Sequence, residues 1–390
     1  MKKSRKNTKE ISRILSRILC FSVFWCFSIF PLAAQKISFH SPILEADRQI
    51  SVYLPASFDS LQAYPVIYVL DGDRIGSLFA STNDYLVSCE RTLPAIVVAI
   101  HQDSLRWKDC GYVYATSEFS ETGQKFHDFI RSELIPYVNA HYKTTGYTAF
   151  AGHSFTATYL YLTFLKGAIP FQSYIALSPY LPDDLQLKVK NHLLKNPDTP
   201  DIYTLTSERD LSGHKASIGK FQKIVIKEKL ENRIRFQNFE GKSHLTLVPA
   251  GVEEGLIFIF KDYQSLSNAY LFSRKIPVID KNKLEKYYLE MNRKYAVQEK
   301  LRPEDAEFAL FTLSHHGLWS QVKELSEWVI SIHPDHYSGY YGLGEFYEKQ
   351  KDYTQSLEYF RKGYDKIGPE TLNKIDFYKD VERVEAKVKK

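Results

Sequence analysis

The residues with the clearest capacity for chemistry surround a serine that joins a short apolar strand to an apolar helix. Residues 148–159 read TAFAGHSFTATY, and Ser154 closes the Gly152-His153-Ser154 triplet at the junction. A serine on such a sharp strand-to-helix turn forms a nucleophile elbow, because the turn exposes the hydroxyl above the sheet and the following N–H groups face the substrate oxygen. The usual pattern is G-x-S-x-G, and this chain has Thr156 at the last position. We expect the tight turn to accept a threonine there only if the next strand recedes.

A nucleophilic serine requires a histidine base and an acid that orients it, and with this elbow the chain order is Ser, acid, His. The α/β region offers three histidines after Ser154, namely His192, His214 and His244. His192 stands in a polar helical stretch, and His214 follows a Ser-Gly turn where it could cap a helix. His244 lies in a loop directly after the last predicted strand, so the sequence favours His244 as the base.

The acid should follow the preceding strand, which runs into Thr206-Ser207-Glu208-Arg209-Asp210. Asp210 is the preferred acid, because a short side chain after a full loop can reach the Nδ1 side of the histidine. Glu208 is the alternative. This choice gives a Ser154, Asp210 and His244 triad suited to acyl transfer.

Acyl transfer also needs N–H donors for the developing oxyanion. The first candidate is the amide of Phe155, directly after the serine, and the second is the amide of Asp73 in the turn Asp71-Gly72-Asp73. Tyr180 and Tyr159 lie near the elbow in sequence, where they either line an aromatic pocket or belong to the core.

The elements that would position these residues alternate between strand-like and helix-like segments from residue 36 to about 262. Several strand candidates are continuous apolar runs, as expected for parallel strands covered on both faces. The strand candidates are Arg48–Leu54, Pro65–Leu70, Ala95–Ile100, Thr148–Ala151, Tyr174–Leu177, Ile202–Leu205 and Arg233–Phe239, and the helix candidates are Lys125–Val138, Phe155–Leu165 and Ser217–Leu230. The early strands follow one another closely and the later ones are separated by helices. This order predicts an α/β fold with a mostly parallel open sheet and an antiparallel edge.

The charge of the chain is concentrated at its start. The 390 residues carry a formal net charge of +5, but residues 1–34 hold seven basic side chains and one acidic one, which leaves 44 basic against 45 acidic residues. This balance argues against a nucleic-acid partner. The chain contains no phosphate-binding glycine motif and no matched set of metal-ligating residues, so we expect neither cofactor nor metal.

The first 34 residues have the features of a secretory signal peptide, with a cationic start, an apolar middle and Ala33-Ala34 before the cut. We therefore expect cleavage near Ala34 and export to the periplasm or the medium. An uncleaved leader would be the protein's one membrane contact. In an exported chain, Cys89 and Cys110 form either one disulfide or two thiols.

The composition changes after Phe260, and residues 265–390 read as an all-helical region. Trp319 and Tyr353 stand 34 residues apart, as do Leu313 and Tyr347, which is the period of tetratricopeptide repeats. The small residues Gly344, Ser356 and Gly363 should let paired helices approach closely. Such helices could bind a protein or peptide partner, and a plain pair of helical hairpins is the alternative.

The chain resembles the "Putative esterase" family of α/β-hydrolases, which includes siderophore esterases such as enterochelin esterase, feruloyl esterases and S-formylglutathione hydrolases. The blocks that carry the resemblance are YPVIYVLDGD (64–73), KFHDFIRSELIPYVNAHYKTTGYTAFAGHSF (125–155), TSERDLSGHKASI (206–218) and SHLTLVPAGVEEGLIFIFKDY (243–263). The resemblance implies an α/β-hydrolase domain over residues 35–264, a small ester as substrate, and Ser154, His244 and Asp210 as nucleophile, base and acid. A branch of the family carries tetratricopeptide-like helices after this domain.

Two departures from the family pattern stand out. Thr156-Ala157 replaces a usual pair of glycines, and Trp107-Lys108-Asp109 stands where an Arg-Asp pair is common. The alternative to an active serine esterase is therefore a catalytically impaired hydrolase fold that acts through its C-terminal helices.

Overall fold

The computed structural model describes residues 34–169, 171–196, 200–270, 276–368 and 373–389. The predicted leader lies outside these residues except for Ala34. The described chain divides into two compact units, one of residues 34–263 with 294–297 and one of residues 264–293 with 298–389. No helix in the described part of the chain is both long enough and apolar enough to cross a bilayer.

The first unit is built on a mostly parallel β-sheet. The strands are β1 (Gln35–Ser41), β2 (Ala46–Tyr53), β3 (Tyr64–Val69), β4 (Ile96–Ile100), β5 (Tyr112–Val113), β6 (Glu118–Phe119), β7 (Thr144–His153), β8 (Ser173–Leu177), β9 (Asp201–Arg209) and β10 (Ile234–Ser243). The sheet order is β1-β2-β4-β3-β7-β8-β9-β10, and β5 pairs with β6 in a separate ribbon. The pairs β1–β2 and β2–β4 are antiparallel, and every pair from β4 to β10 is parallel. The predicted open sheet with an antiparallel edge is confirmed.

Helices flank this sheet and complete the α/β architecture. They are α1 (Gly72–Ser88), α2 (Arg106–Asp109), α3 (Glu121–Phe129), α4 (Ile135–His141), α5 (Phe155–Lys166), α6 (Asp183–Lys195), α7 (Ser212–Lys227) and α8 (Val248–Ile259), with a short 3-10 helix at Asp103–Leu105 and a short π-helix at Ile130–Leu134. Strands β3, β4 and β8 are buried along their whole length. Their continuous apolar sequences fit this position, because parallel strands are covered on both faces.

Several elements of the first unit are absent from the sequence prediction, and β1 and α1 are the two that belong to or cover the main sheet near its start. Strand β1 is an edge strand with four of its seven residues exposed, so it lacks the apolar run that marks the central strands. Helix α1 carries its buried face on Ile75, Phe79 and Leu86, but Gly72 and Gly76 in its first half obscure the helical pattern. Gly76 is needed for packing, since a Cβ there would lie 2.3 Å from the Cβ of Ala99 on β4.

The second unit is helical in its described residues. Its helices are α9 (Leu266–Tyr270), α10 (Lys281–Tyr295), α11 (Pro303–His315), α12 (Trp319–Ile332), α13 (Tyr337–Lys349), α14 (Tyr353–Asp365) and α15 (Asn373–Val388). The last two residues of α10, 294 and 295, are assigned to the first unit. A Cβ on Gly344 would lie 2.6 Å from the ring of Phe360, and Ser356 Oγ donates to Gly344 O at 2.8 Å. Small residues therefore allow α13 and α14 to approach closely, as expected. The tetratricopeptide-like character of these helices stays a prediction.

The two cysteines of the first unit are separate thiols. Cys110 is fully buried, and Cys89 is partly exposed. The structure thus agrees with the second of the two alternatives left by the sequence.

Helix α1 provides a test of how tightly the sheet is covered. We expect Gly76→Ala to lower the free energy of unfolding by about 1–3 kcal/mol, because the added methyl group overpacks the contact with Ala99. The matched control is Gly219→Ala on α7, where no atom lies within 4 Å of the added Cβ. This control should raise stability by up to about 1 kcal/mol, since alanine is the better helix former. Urea denaturation of both variants measures the effect, and equal stabilities would contradict the packing argument.

Candidate active site

Ser154 occupies the sharp turn between β7 and α5. Its backbone has φ 62° and ψ −119°, a conformation that residues other than glycine rarely adopt. The N–H of Ser154 donates to Leu177 O at 2.8 Å, which ties the turn to the neighbouring strand β8. A Cβ on Gly152 would come within 2.7 Å of Thr156 Oγ1, so the turn requires glycine two residues before the serine.

Thr156 fits this turn through hydrogen bonds. Its side chain is fully buried, and its hydroxyl donates to Asp71 Oδ2 at 2.7 Å while accepting from the N–H of His153 at 2.8 Å. The turn therefore accepts a threonine because the hydroxyl is hydrogen-bonded, and not for the expected reason that the next strand recedes. The hydroxyl has partners on both sides.

The structure brings Ser154, His244 and Asp210 together. His244 Nε2 lies 2.9 Å from Ser154 Oγ, and His244 Nδ1 lies 2.6 Å from Asp210 Oδ1. The three residues follow directly on the carboxyl ends of β7, β10 and β9, where parallel α/β sheets build their sites. A register shift between Phe239 and Ser243 sets Ser243 opposite Arg209 at the end of β9. This irregularity places the residue after each strand, His244 and Asp210, side by side.

The buried carboxylate of Asp210 accepts hydrogen bonds from four groups. Besides His244, these are Ser178 Oγ at 2.7 Å, Thr206 Oγ1 at 2.8 Å and the N–H of Leu211 at 2.8 Å. Burial alone would raise the pKa of Asp210, but the hydrogen bonds from His244, Ser178, Thr206 and Leu211 outweigh it and hold the pKa at about 2. The acid is therefore fully ionised at neutral pH and fixed in orientation.

Ser178 is a member of the site that the sequence did not reveal. It directly follows β8, has a left-handed backbone with φ 51°, and is fully buried. Besides its bond to Asp210, its Oγ lies 3.1 Å from His244 Nδ1. Its position at the carboxyl end of a predicted strand was the available signal.

Two sequence candidates lie elsewhere. Glu208 is exposed, and its carboxylate accepts from the N–H of Gly241 at 2.9 Å, so the alternative acid does not contact His244. His192 is on α6, where its ring packs edge-on against Phe164 at 5.0 Å.

Two further histidines flank His244. The Nε2 of His153 donates to His244 O at 2.9 Å, and the Nδ1 of His214 donates to Ser178 O at 2.9 Å. Their rings lie 4.7 Å and 5.0 Å from the ring of His244. Burial, and then the charge of His244, lower the pKa of His153 to about 4, and burial lowers that of His214. In the sequence His214 was a possible helix cap, and its place beside His244 was not predicted, because only the fold brings α7 beside β8 and β10.

The two candidate oxyanion donors each lie in the first turn of a helix. Phe155 is the first residue of α5, and Asp73 is the second residue of α1. First-turn N–H groups have no acceptor within their own helix, and the helix dipole favours an anion there. The sequence placed Asp73 in a loop, whereas Gly72 already begins α1. Both amides are therefore available donors.

A continuous row of aromatic rings runs beside the elbow. The ring centroids are separated successively by 4.2, 5.5, 6.3 and 5.7 Å. We call this set the aromatic row, and its members in order are Trp107, Phe155, Tyr112, Tyr114 and Tyr180. Trp107 and Tyr114 are 65% and 56% exposed. The row ends at Tyr180, whose ring is 5.6 Å from that of His214.

Tyr159 belongs to the core and not to this surface. It is fully buried, its hydroxyl donates to Gly123 O at 2.9 Å, and its ring packs against Phe119 at 4.9 Å. The pocket interpretation of Tyr159 is therefore wrong. An aromatic residue in a helix buried on nearly every side is core by default.

The segment around Trp107 is held by buried ion pairs. Asp109 accepts from Arg48 Nη1 at 3.1 Å and also pairs with Arg48 Nη2. Arg106, on the other side of Trp107, pairs with Asp71.

Among the described residues, no group of three or more His, Cys, Asp or Glu side chains is arranged to hold a metal ion.

The fold and this site define an α/β-hydrolase. The model of the family described as "Putative esterase" matches residues 41–244, more than half of the chain, and the chain belongs to this family. It is 25% identical over 227 residues to the ferri-bacillibactin esterase BesA of Bacillus subtilis, covering 50% of this chain and 78% of that protein. Family membership supports hydrolase activity.

Two solved structures share the fold. An uncharacterised protein from Capnocytophaga ochracea superposes with a TM-score of 0.73 at 18% identity, covering 91% of this chain and all of that one. An IroE-like serine hydrolase from Shewanella oneidensis superposes with a TM-score of 0.56 at 21% identity, covering 73% of this chain and 95% of that one.

The low pKa of Asp210 predicts how acid affects stability. The folded-state pKa of about 2 lies below the ordinary value of 3.8, so the ionised carboxylate stabilises the fold above about pH 4 and loses this effect as the pH falls toward 2. The difference in unfolding free energy between the wild type and Asp210→Asn should therefore shrink from pH 5 to pH 2. Urea denaturation across this range measures it.

The matched control for this prediction is Glu208→Gln, an exposed carboxylate two residues earlier. The difference in unfolding free energy between the wild type and Glu208→Gln should change less with pH. If the unfolding free energies of the wild type and Asp210→Asn changed equally with pH, the result would contradict the assigned role of the buried hydrogen bonds.

Proposed function

We propose that the protein is a serine carboxylic-ester hydrolase that works through an acyl-enzyme intermediate. The observation that carries the proposal is the unbroken chain of contacts from Asp210 through His244 to Ser154, at 2.6 Å and 2.9 Å. A serine, its base and an orienting acid at these distances form the arrangement that activates a hydroxyl nucleophile. The strained turn at Ser154 and the family membership support the same proposal.

In the proposed reaction, His244 Nε2 accepts the proton of Ser154 as Oγ attacks the ester carbonyl carbon. The amides of Phe155 and Asp73 stabilise the resulting oxyanion. The tetrahedral intermediate then collapses, His244 returns the proton to the leaving alcohol, and the acyl group stays on Ser154. Water, deprotonated by His244, attacks the acyl-enzyme and releases the acid.

The charges around His244 suit this proton transfer. Asp210 is ionised and hydrogen-bonded to Nδ1, so it stabilises the imidazolium as the proton arrives. His153 and His214 have lowered pKa values and stay neutral near pH 7. They therefore fix their neighbours by donating hydrogen bonds and add no competing positive charge.

The substrate that we infer is an ester with a flat aromatic group. The aromatic row supports this inference, because Trp107 and Tyr114 present exposed rings beside the elbow. The Bacillus subtilis relative is described as an esterase of ferri-bacillibactin. A siderophore ester, an acyl group on a carbohydrate and a small ester all remain compatible with the triad.

Export is a further proposal, based on the cationic and apolar leader before Ala34. Amino-terminal sequencing of the protein recovered outside the cytoplasm should begin near Gln35, and an intact leader would argue for an anchor. The partner proposed for the C-terminal helices rests on the sequence repeat alone.

Covalent labelling by a fluorophosphonate probe, which reacts with activated serines, tests the proposed nucleophile. The wild type should be labelled and Ser154→Ala should not. Asp210→Asn should lose about 10³- to 10⁴-fold in kcat on an aryl ester, since the histidine is no longer held in the productive tautomer. The matched control Glu208→Gln should retain activity. A folded wild type that neither labels nor hydrolyses esters would favour the impaired, helix-mediated alternative.

The preference for an aromatic acyl group can be tested at Trp107. The ratio of kcat/KM for an aromatic acyl ester to that for an alkyl ester of equal size should fall by up to about 10-fold in Trp107→Ala, because ring contacts contribute up to about 1.5 kcal/mol. The control is Tyr85→Ala, which removes an exposed ring of α1 outside the aromatic row. An unchanged ratio in Trp107→Ala would remove the support for an aromatic substrate.

A further inference from the structure

The residue that breaks the elbow pattern makes a specific buried contact. Thr156 is fully buried, and its hydroxyl joins the elbow to the carboxylate of Asp71 at 2.7 Å. A glycine at this position could not make that contact. The departure from the family pattern therefore adds a cross-link between two loops of the site.

Asp71 lies at the turn that leads from β3 into α1. Its backbone is left-handed, with φ 53° and ψ 36°, and only 3% of the residue is exposed. Its N–H donates to Gln102 Oε1 at 3.0 Å, and the N–H of Gln102 donates to the carboxylate of Asp73 at 3.3 Å. The turn that carries the Asp73 amide is thus fixed through both its backbone and its side chains.

Arg106 completes the connection. Its Nε and Nη2 donate to the two carboxylate oxygens of Asp71 at 2.5 Å and 3.2 Å, and Nη2 also donates to His153 O at 2.7 Å. One guanidinium therefore holds the residue before α1 and the residue before Ser154. The charge of Asp71 is neutralised where it would otherwise oppose an oxyanion.

We propose that Thr156, Asp71 and Arg106 form a clamp that sets the spacing of the Asp73 and Phe155 amides, with Thr156 as a positioning residue. The inference rests on the proposed function, since it assigns a role in binding the oxyanion. Such donors must lie about 2.7–3.1 Å from the oxyanion, and a displacement of about 1 Å can cost 10²-fold in rate. Loosening the clamp therefore lowers kcat while ground-state binding is retained.

The decisive variant is Thr156→Val, which removes the hydroxyl, keeps the side-chain volume and leaves the Asp71–Arg106 pair intact. We expect kcat to fall by about 10- to 100-fold with KM changed by less than about threefold. Thr156→Ser restores the hydroxyl and should recover most of the lost kcat. The matched control is Thr163→Val on the same helix, a buried threonine whose Oγ1 has no hydrogen-bond partner within the described residues.

Hydrogen exchange gives a readout that needs no turnover. The N–H groups of Arg74 and Ile75 donate to Asp71 O at 2.9 Å and 3.0 Å, so they report on the turn that the clamp holds. Their exchange should be faster in Thr156→Val than in the wild type or Thr163→Val. A protein that hydrolyses no ester yet shows this difference would keep the clamp and lose the proposed function.

Three outcomes would overturn the clamp. In the first, Thr156→Val keeps wild-type kcat and wild-type exchange at Arg74 and Ile75. In the second, Thr163→Val loses as much kcat as Thr156→Val, which would indicate general packing. In the third, Thr156→Ser fails to recover kcat although it folds with wild-type stability in urea.

Discussion

The strained backbone of Ser154 is the constraint on which the rest of the site depends. Its φ of 62° and ψ of −119° cost about 1–3 kcal/mol for a residue with a side chain, so the surrounding structure must impose them. The bond from its N–H to Leu177 and the close packing at Gly152 do so. Because the turn fixes the position of Oγ, His244 and Asp210 need only reach one point from the ends of their strands.

Two buried carboxylates divide the electrostatics of the site between them. Asp210 stands behind the base and is held ionised by hydrogen bonds, so its charge is available to an imidazolium. Asp71 stands on the side of the candidate oxyanion donors, where a free negative charge would be unfavourable, and Arg106 pairs with it. The charge of Asp210 must stay available to the imidazolium, whereas the charge of Asp71 must be compensated. Only Asp71 therefore has a permanently cationic side chain, that of Arg106, as its partner.

The sequence predicted the parts of the fold that depend on local pattern. The central strands were found because both of their faces are buried, and Ser154 because its triplet falls between a strand and a helix. Helix α1 was missed because two glycines, one required by packing against Ala99, mask its period. Ser178 and His214 were not recognised as neighbours of the triad, since their contacts with Asp210 and His244 join residues 30 or more positions apart. Tyr159 was left open between pocket and core, because the sequence does not show what covers α5.

Thr156 shows why a motif and its physical requirement differ. The elbow pattern favours glycine after the serine because the turn leaves little room, but here the space beside the turn contains an acceptor. His153 and Thr156 then tie the elbow to two other loops, one through His244 O and the other through Asp71. Restoring glycine at 156 would recover the pattern and leave the buried Asp71 carboxylate with one donor fewer, which is unfavourable for a buried charge. The residue at this position is therefore set by the neighbouring loop as much as by the turn.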